Sequence, residues 1–268
     1  KFPCVSLLED GVRNFTNDLE GKFVYFDKLG LEDFINFQGG EFQFVNGYYY
    51  NEGHNNKINN VMEHLFNQRL KYKDMKDADG NSNPLQLVFK ELMNSSYGKS
   101  YLKPIDSDAC YVKDDEYWEY CDRNYNYIKE ATKMPNGVWK IEILKSIDDH
   151  FNNVHVGVEI LSMSKRIMYE VMYLAEDLDL SMYYTDTDSI HIDADAIPIL
   201  QEAYKKKYNR ELIGKAMGQF HTDFDLDGCV GEIHAVESIF LGKKCYIDKL
   251  EGLDKDGNVL HDYNIRMK

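Results

Sequence analysis

The stretch that most constrains the fold is Leu180-Ser181-Met182-Tyr183-Tyr184-Thr185-Asp186-Thr187-Asp188-Ser189-Ile190-His191-Ile192-Asp193. Its two ends are rich in aromatic and β-branched residues, which favour strands, whereas its centre is short and acidic. The pattern predicts a strand, an acidic turn and a second strand. Residues two apart on an extended chain point to the same side. We therefore expect Asp186 and Asp188 to hold their carboxylates close together at the turn.

Two neighbouring carboxylates repel each other unless a cation lies between or beside them. Carboxylate oxygens that leave room for water and phosphate suit Mg²⁺. An isolated Asp-Thr-Asp tripeptide is more often a solvated acidic turn, and that interpretation stays open. The strand-forming flanks favour a positioned pair, and with it a site for Mg²⁺ or Mn²⁺.

Upstream of this stretch, the sequence predicts two helices joined by a short polar loop. Apolar residues recur at steps of three and four from about Asn55, which predicts a helix to about Lys76. The loop 77–82 follows. Asn83 then suits an N-cap and Pro84 a first helical position, so a second helix is expected to run to Gly98. A short connection makes the pair an antiparallel hairpin.

Each helix of this hairpin carries a row of polar residues. On the second helix, a lysine, two amides and a tyrosine share one face: Gln86, Lys90, Asn94 and Tyr97. On the first, a basic row consists of Arg69, Lys73 and Lys76. Such rows can hold a polyphosphate together with a sugar and base. Taken singly, each is more often a solvated helix face.

Near the end of the chain, Gly242-Lys243-Lys244-Cys245-Tyr246 predicts a strand that starts with two lysines. Lysines with an aromatic ring nearby can grip a phosphate backbone while the ring packs on sugar. The pattern is not specific on its own.

The remaining pattern predicts an α+β fold, in which an antiparallel sheet carries helices on one face. Short strands and turns are expected over 1–53, with alternation at Glu41–Val45 and a tyrosine cluster at 48–50. Pro135-Asn136-Gly137 predicts a hairpin turn before a strand at 138–143. Further helices are expected at 159–176 and 198–207, and further strands at 231–239 and 244–249.

Composition points to a globular protein. The 268 residues include 31 basic and 46 acidic side chains, a net charge of −15, which by itself argues against a partner as anionic as nucleic acid. The five cysteines are widely spaced, so neither a disulfide framework nor a zinc site is indicated, and an intracellular reducing compartment is expected. No apolar run approaches the roughly 20 residues that span a bilayer.

Three motifs together resemble those of the family B DNA polymerases. Lys90-x-x-x-Asn94-Ser95-x-Tyr97-Gly98 is similar to the family's fingers motif B, and Tyr184-x-Asp186-Thr187-Asp188-Ser189 to its palm motif C. Lys244-x-Tyr246 is similar to its primer-gripping motif. The motifs occur in the family's order, and the resemblance covers about residues 55–250. The tract 31–50 and the insertion after Gly98 are more similar to the protein-primed branch.

The resemblance implies a DNA-directed DNA polymerase. A primer 3′-hydroxyl attacks the α-phosphate of an incoming deoxynucleotide, and two metal ions, Mg²⁺ or Mn²⁺, stabilise the attacking and leaving oxygens. It assigns metal binding to Asp188, with Asp186 as an accessory carboxylate beside it. Lys243, Lys244 and Tyr246 are implied to hold the primer strand.

The implied nucleotide site lies on the helical hairpin. Lys90 and Arg69 neutralise the charge of the triphosphate, and Lys90 is counted with the catalytic residues. Lys73 and Asn94 assist them. Tyr97 lies against the nascent base pair and sugar. The resemblance divides the chain into a partial palm (1–54), fingers (55–98), palm with insertion (99–240) and a palm-to-thumb transition (241–268).

One family motif is missing. Motif A, an aspartate followed by a Ser-Leu-Tyr-Pro-like stretch, is not found, because Val5-Ser6-Leu7-Leu8 lacks both the aspartate and the Tyr-Pro. No exonuclease region is recognised, and the thumb is cut short. We therefore expect a fingers and palm fragment that works with the rest of the polymerase, which supplies the motif A and exonuclease segments. The alternative is a catalytically inactive nucleic-acid-binding or assembly module.

The other implied partners are a DNA primer–template, deoxynucleotides and, in the protein-primed branch, a terminal protein; no membrane is expected. The negative net charge does not exclude DNA, because DNA meets only one face of a protein. That face is expected to carry Arg69, Lys73, Lys90, Lys243 and Lys244.

Overall fold

A computed structural model describes residues 1–49, 57–76, 82–150 and 152–267. The strands found in these ranges, in chain order, are β1 (Ser6–Glu9), β2 (Val12–Phe15), β3 (Ser107–Lys113), β4 (Ile128–Lys133), β5 (Val138–Leu144), β6 (Met182–Asp186), β7 (Ser189–Ile192), β8 (His234–Gly242), β9 (Cys245–Leu253) and β10 (Val259–Arg266). All their pairings are antiparallel.

The helices in the same ranges are α1 (Lys28–Asp33), α2 (Lys57–Asp74), α3 (Leu85–Gly98), α4 (Tyr117–Asn124), α5 (Ile147–His150), α6 (Val154–Asp177) and α7 (Ala196–Tyr208). A π-helical turn, Phe34–Gln38, continues α1 directly. Short 3₁₀ turns follow α3 at Lys99–Tyr101 and α4 at Tyr125–Tyr127.

The α+β class with antiparallel pairing is confirmed, but the sheet is divided. The described strands form four sheets, with orders β1-β2, β3-β5-β4, β6-β7 and β10-β9-β8. The prediction of a single sheet was wrong. The alternation of a strand specifies which of its faces is buried, but it does not specify which strand lies beside it.

The chain divides into two compact units. The first consists of Lys1–Phe44 and Leu161–Lys268, and the second of Val45–Ile160. The boundary falls inside α6. No helix within the described ranges has both the length and the apolar character that crossing a membrane requires.

The core of the first unit lies where α6 and α7 pack against the β6-β7 hairpin. Val171, Leu174 and Ala175 from α6 meet Leu200 and Tyr204 from α7. Met182, Ile190 and Ile192 of the hairpin pack against this cluster. Burial of each large apolar side chain contributes about 1.5–3 kcal/mol, so the hairpin is held to both helices over its inner face.

The N-terminal segment is fixed to α6 by a partly buried ion-pair network, in which only Asp33 is fully buried. Arg166 donates from Nε to Asp33 at 2.6 Å and from its terminal nitrogen to Glu32 at 2.9 Å and to the carbonyl of Leu29 at 2.8 Å. Asp27 caps α1 by accepting from the backbone N–H of Gly30. The sequence predicted only strands and turns here and missed α1. This short helix depends on Arg166, which is more than 130 residues away in sequence.

In the second unit, α2 and α3 form the predicted antiparallel hairpin. The rings of Tyr72 and Phe89 stack at 5.5 Å, and Ser96 lies 3.2 Å from the sulfur of Met62. The start of α2 therefore meets the end of α3. Asn83 accepts from the backbone N–H of Leu85 at the start of α3, but the helix begins at Leu85, one residue later than predicted, with Pro84 in the N-cap position. Residues 55, 56 and 77–81 of the predicted helix and loop lie outside the described residues.

The predicted hairpin at Pro135-Asn136-Gly137 is confirmed. It joins β4 to β5, and the N–H of Met134 donates to the carbonyl of Val138 at 2.8 Å. Gly137 has a φ of +80°, which glycine adopts without strain.

Several predicted elements are wrong or have different ends. Glu41–Val45 forms no strand, because no strand among the described residues pairs with it. The helices expected at 159–176 and 198–207 begin earlier, at Val154 and Ala196. β10 was not predicted, and it completes the sheet that carries the dibasic segment. The tyrosine cluster lies in irregular chain at 48 and 49, and Tyr50 is outside the described residues.

Candidate functional site

The acidic stretch forms the predicted strand, turn and strand. β6 and β7 pair antiparallel, and Asp186 lies opposite Ser189 at the end of the ladder. Between them, the N–H of Asp188 donates to the carbonyl of Asp186 at 2.7 Å, and Thr187 has a φ of +59°. A turn closed by this short hydrogen bond around a left-handed, β-branched residue is strained. Such strain is typical of functional turns.

The two aspartates of the turn have different surroundings. The Asp188 side chain is exposed and makes no hydrogen bond or ion pair with any part of the chain that the structure describes. The Asp186 side chain is half-buried, and its two oxygens accept from Nζ of Lys244 at 2.8 and 3.0 Å. This hydrogen bond holds the pKa of Asp186 below its ordinary value. Asp186 is therefore a charged carboxylate that is already paired with the ammonium of Lys244. Asp188 has no such partner among the described residues and is accessible to an ion from solvent.

Lys244 binds the acidic hairpin twice. Besides the contact of Nζ with Asp186, its backbone N–H donates to the hydroxyl of Tyr184 at 2.8 Å. Lys243 and Lys244 form the turn between β8 and β9, where Gly242 pairs with Cys245. The expected strand start at Lys244 is thus wrong, because this residue is a turn residue with a φ of +57°. Lys243, its neighbour, is exposed.

An aromatic cluster lies behind these contacts. Tyr184 stacks on Phe240 of β8, with ring centres 5.2 Å apart and planes within 9°. The ring of Tyr246 lies 5.0 Å from that of Tyr184. The imidazole of His191 contacts all three rings edge-on, at 5.2–5.7 Å. The acidic stretch and the Lys244-Cys245-Tyr246 segment, which are about 60 residues apart in sequence, are therefore packed together within the first unit.

The predicted nucleotide residues are on the helical hairpin of the second unit. Lys90 and Asn94 are exposed on α3, and Tyr97 is half-buried near its end. On α2, Lys73 is exposed, while Nε of Arg69 is buried without a hydrogen-bond partner in the described part of the chain. Because Tyr72 meets Phe89 and Met62 meets Ser96, Arg69 lies at about the level of Lys90 along the hairpin.

The side chains present fit part of a divalent metal site. Asp188 suits the ligand role, since its carboxylate is exposed and has no partner among the described residues. Asp186 suits it only when Lys244 moves aside. In the described ranges no group of three or more His, Cys, Asp or Glu side chains is arranged to hold an ion. The donor set thus offers one open carboxylate for an ion that also binds water and phosphate.

Sequence reasoning missed four contributors to this site. They are the hydroxyl of Tyr184, the ring of Phe240, and the side chains of His191 and Asp248. The alternation of β9 places Asp248 on the same side as the buried Leu250, and this was the available signal for Asp248. In β7, His191 alternates with Ile190 and Ile192, which pack on the core, so the pattern gave no signal for His191. The pairing of His191 with Asp248 across two sheets has no signature in a single sequence.

Comparisons with protein-family models, with curated proteins and with solved structures return no match for this chain. The argument for function therefore depends on the residues and their geometry.

Proposed function

We propose that this chain carries the fingers and part of the palm of a template-directed DNA polymerase that adds deoxynucleotides to a primer 3′-hydroxyl. The observation that supports this most strongly is the contact of Lys244 with Tyr184 and Asp186. These residues belong to two separate motifs of the polymerase pattern. If the motifs were present by coincidence, nothing would require their side chains to be in contact. Their hydrogen bonds are what a shared primer-terminus site would need.

In this proposal, Asp188 holds a divalent ion, which stabilises charge on the attacking and leaving oxygens when bound. A second carboxylate would come from a motif A segment that this sequence does not contain. Lys244 and Lys243, at the adjacent turn, bind the primer phosphates, and Tyr246 supports the turn from behind. Catalysis by such a site depends mainly on positioning and charge stabilisation.

The helical hairpin binds the triphosphate of the incoming nucleotide. Lys90 is exposed and has no partner among the described residues, so its ammonium is open to an anion. Nε of Arg69 is buried and has no hydrogen-bond partner in the part of the chain that the structure describes. An unsatisfied donor of this kind is costly, which fits a guanidinium that binds a ligand. Tyr97 would lie against the base pair.

Primer extension tests the proposal. The full-length product of the gene that encodes this sequence is assayed with a primer–template, deoxynucleotides and Mg²⁺. We expect Asp188→Asn to lower kcat by about 10³-fold or more, and Lys90→Ala to raise KM for the nucleotide and lower kcat. Asp195→Asn is the matched control, because Asp195 is an exposed aspartate of the same unit. Full activity of Asp188→Asn would refute the proposal.

A catalytically inactive DNA-binding module is the second candidate, and the Lys244–Asp186 ion pair favours it. In such a module a lysine replaces the metal as the partner of the carboxylate. The same assay separates the two candidates. Labelled DNA that binds to the full-length protein with no incorporation under Mg²⁺ or Mn²⁺ supports the module, whereas incorporation that requires Asp188 supports the polymerase.

A further inference from the structure

Asp248 is a fully buried carboxylate in the middle of β9, with 0% of its surface exposed. Ser238 of β8 donates to one of its oxygens at 2.7 Å, and Asn264 of β10 donates to the other at 2.9 Å. Both donors are its direct cross-strand neighbours. A carboxylate without water is costly unless its charge is also compensated, so a third partner is expected.

That third partner is His191 of β7, which belongs to the other sheet. Its Nε2 lies 3.6 Å from an oxygen of Asp248, and its side chain is only 16% exposed. Its Nδ1 is buried without a hydrogen-bond partner in the described ranges. The imidazole therefore has one polar neighbour, and the acceptor there favours a proton on Nε2. The rings of Phe240 and Tyr246 fix its plane.

His191 is also directly tied to the acidic turn. It pairs across the β6-β7 hairpin with Tyr184, the residue whose hydroxyl accepts from Lys244. Asp186 follows Tyr184 by two residues and binds the same lysine. A shift of the His191 ring relative to β9 would therefore move the turn relative to Lys244.

We propose that His191 and Asp248 are positioning residues, which clamp the acidic hairpin to the three-stranded sheet and thereby fix where Asp186 and Asp188 point. The consequence for catalysis rests on the proposed polymerase function, whereas the clamp itself does not. The two oxygens of Asp248 accept from Ser238 and Asn264, and Nε2 of His191 faces one of them at 3.6 Å, a polar contact longer than a hydrogen bond. An asparagine would turn an N–H toward one of these donors, so Asp248→Asn breaks the network without leaving a cavity.

Three variants separate the polar contact between His191 and Asp248 from the packing of the imidazole ring. Asp248→Asn removes the charge and one acceptor. His191→Phe keeps a ring among the aromatic side chains but has no N–H. His191→Gln restores an N–H near the position of Nε2. The matched controls are Glu251→Gln and His261→Phe, which disrupt a His–carboxylate pair with a separation of 3.7 Å between β10 and β9, on the face of the sheet opposite to Asp248.

Amide hydrogen exchange of this chain is the first measurement. We expect the β6-β7 amides to exchange about tenfold faster in Asp248→Asn and His191→Phe, because the hairpin opens more often. His191→Gln and both controls are expected to keep wild-type rates, and so are the amides of α6 in every variant. Unchanged hairpin exchange in Asp248→Asn and His191→Phe, or equal rates in His191→Gln and His191→Phe, would overturn the clamp. If Asp248→Asn fails to fold, the two His191 variants decide.

Primer extension by the full-length protein is the second measurement. We expect kcat to fall about tenfold in Asp248→Asn and in His191→Phe, with KM for the nucleotide unchanged and activity restored in His191→Gln. The double variant should lose no more than either single one. Additive losses would overturn the positioning role. Faster hairpin exchange in Asp248→Asn and His191→Phe, together with no primer extension by the wild-type protein, would refute the polymerase and leave the clamp intact.

Discussion

Lys244 holds two groups of the acidic hairpin, and its removal should be visible at Asp186. In Lys244→Met we expect the pKa of Asp186 to rise toward its ordinary value, because the hydrogen bond from Nζ is the main cause of its depression. Carboxyl-carbon NMR during a pH titration measures this directly. Lys243→Met is the control, since Lys243 makes the smallest contribution among the causes of the shift. An unchanged titration of Asp186 in Lys244→Met would contradict the ion pair.

The same ion pair makes a pH-dependent contribution to stability. A carboxyl whose folded pKa is depressed adds stability above its ordinary pKa, and this is lost as pH falls through the lower folded value. The pKa of Lys244 is raised by the same bond, so the contribution is lost again as pH rises through that raised value. The difference between wild type and Lys244→Met in urea unfolding should therefore be constant near neutrality and vanish in acid.

Arg166 neutralises a carboxyl that burial makes costly. Asp33 is 3% exposed, and burial raises its pKa despite the bond from Arg166. Arg166→Met leaves this charge unpaired, and we expect a loss of about 3–5 kcal/mol in the free energy of unfolding at pH 7. The raised pKa rises further in the variant, so the loss should shrink as pH falls toward 5 and the carboxyl protonates.

Urea unfolding at the two pH values measures this effect, and the double variant Arg166→Met/Asp33→Asn should recover part of the stability. Lys28→Met is the control from the same region, because Lys28 is exposed and 3.9 Å from Glu32. A loss of at most about 0.5 kcal/mol is expected for it. An equal loss for Arg166→Met at both pH values would contradict the account.

At the scale of elements, the core of the first unit offers a sharp comparison between adjacent residues of α7. Leu200 is 2% exposed, whereas Ile199 is 52% exposed. Leu200→Ala should cost about 2–4 kcal/mol, because it removes buried methyl groups and leaves a cavity between α6, α7 and the hairpin. Ile199→Ala should stay within about 0.5–1 kcal/mol. Equal losses in thermal or urea unfolding would mean that α7 does not pack as described.

Element prediction from the sequence succeeded where the signal was local. The repeat of apolar residues specified α2 and α3, and Asn136-Gly137 specified the β4-β5 turn. It failed where partners are distant. Glu41–Val45 has a strand's alternation, but no strand pairs with it within the described ranges. Helix α1 exists because Asp27 caps it and Arg166 anchors it.

The site shows the same division. Asp186 and Asp188 at a strand turn could be recognised from a few neighbouring residues, and so could a dibasic segment before Tyr246. The contact between Asp186 and Lys244 could not, because it joins residues 58 apart on different sheets. The role of Asp248 was invisible for the same reason, since its three partners come from three other strands.

At the scale of the whole molecule, a net charge of −15 opposes DNA binding, whereas the lysines of the proposed contact favour it. This chain should bind a labelled primer–template with modest affinity that falls linearly with the logarithm of salt concentration. Lys243→Ala should lower the slope of that line by about one unit and weaken all sequences equally. Fluorescence anisotropy over a salt series measures both. Binding that does not depend on salt would contradict an electrostatic contact through Lys243.

The central claim is that the tip of the β6-β7 hairpin binds the catalytic divalent ion through Asp188. Amide NMR of this chain during a Mn²⁺ titration tests it most directly, because a paramagnetic ion broadens only the signals near it. We predict that the amides of residues 186–189 broaden first in wild type and in Asp195→Asn, and that they stay sharp in Asp188→Asn. The same broadening in Asp188→Asn, or first broadening elsewhere in the chain, would contradict the account.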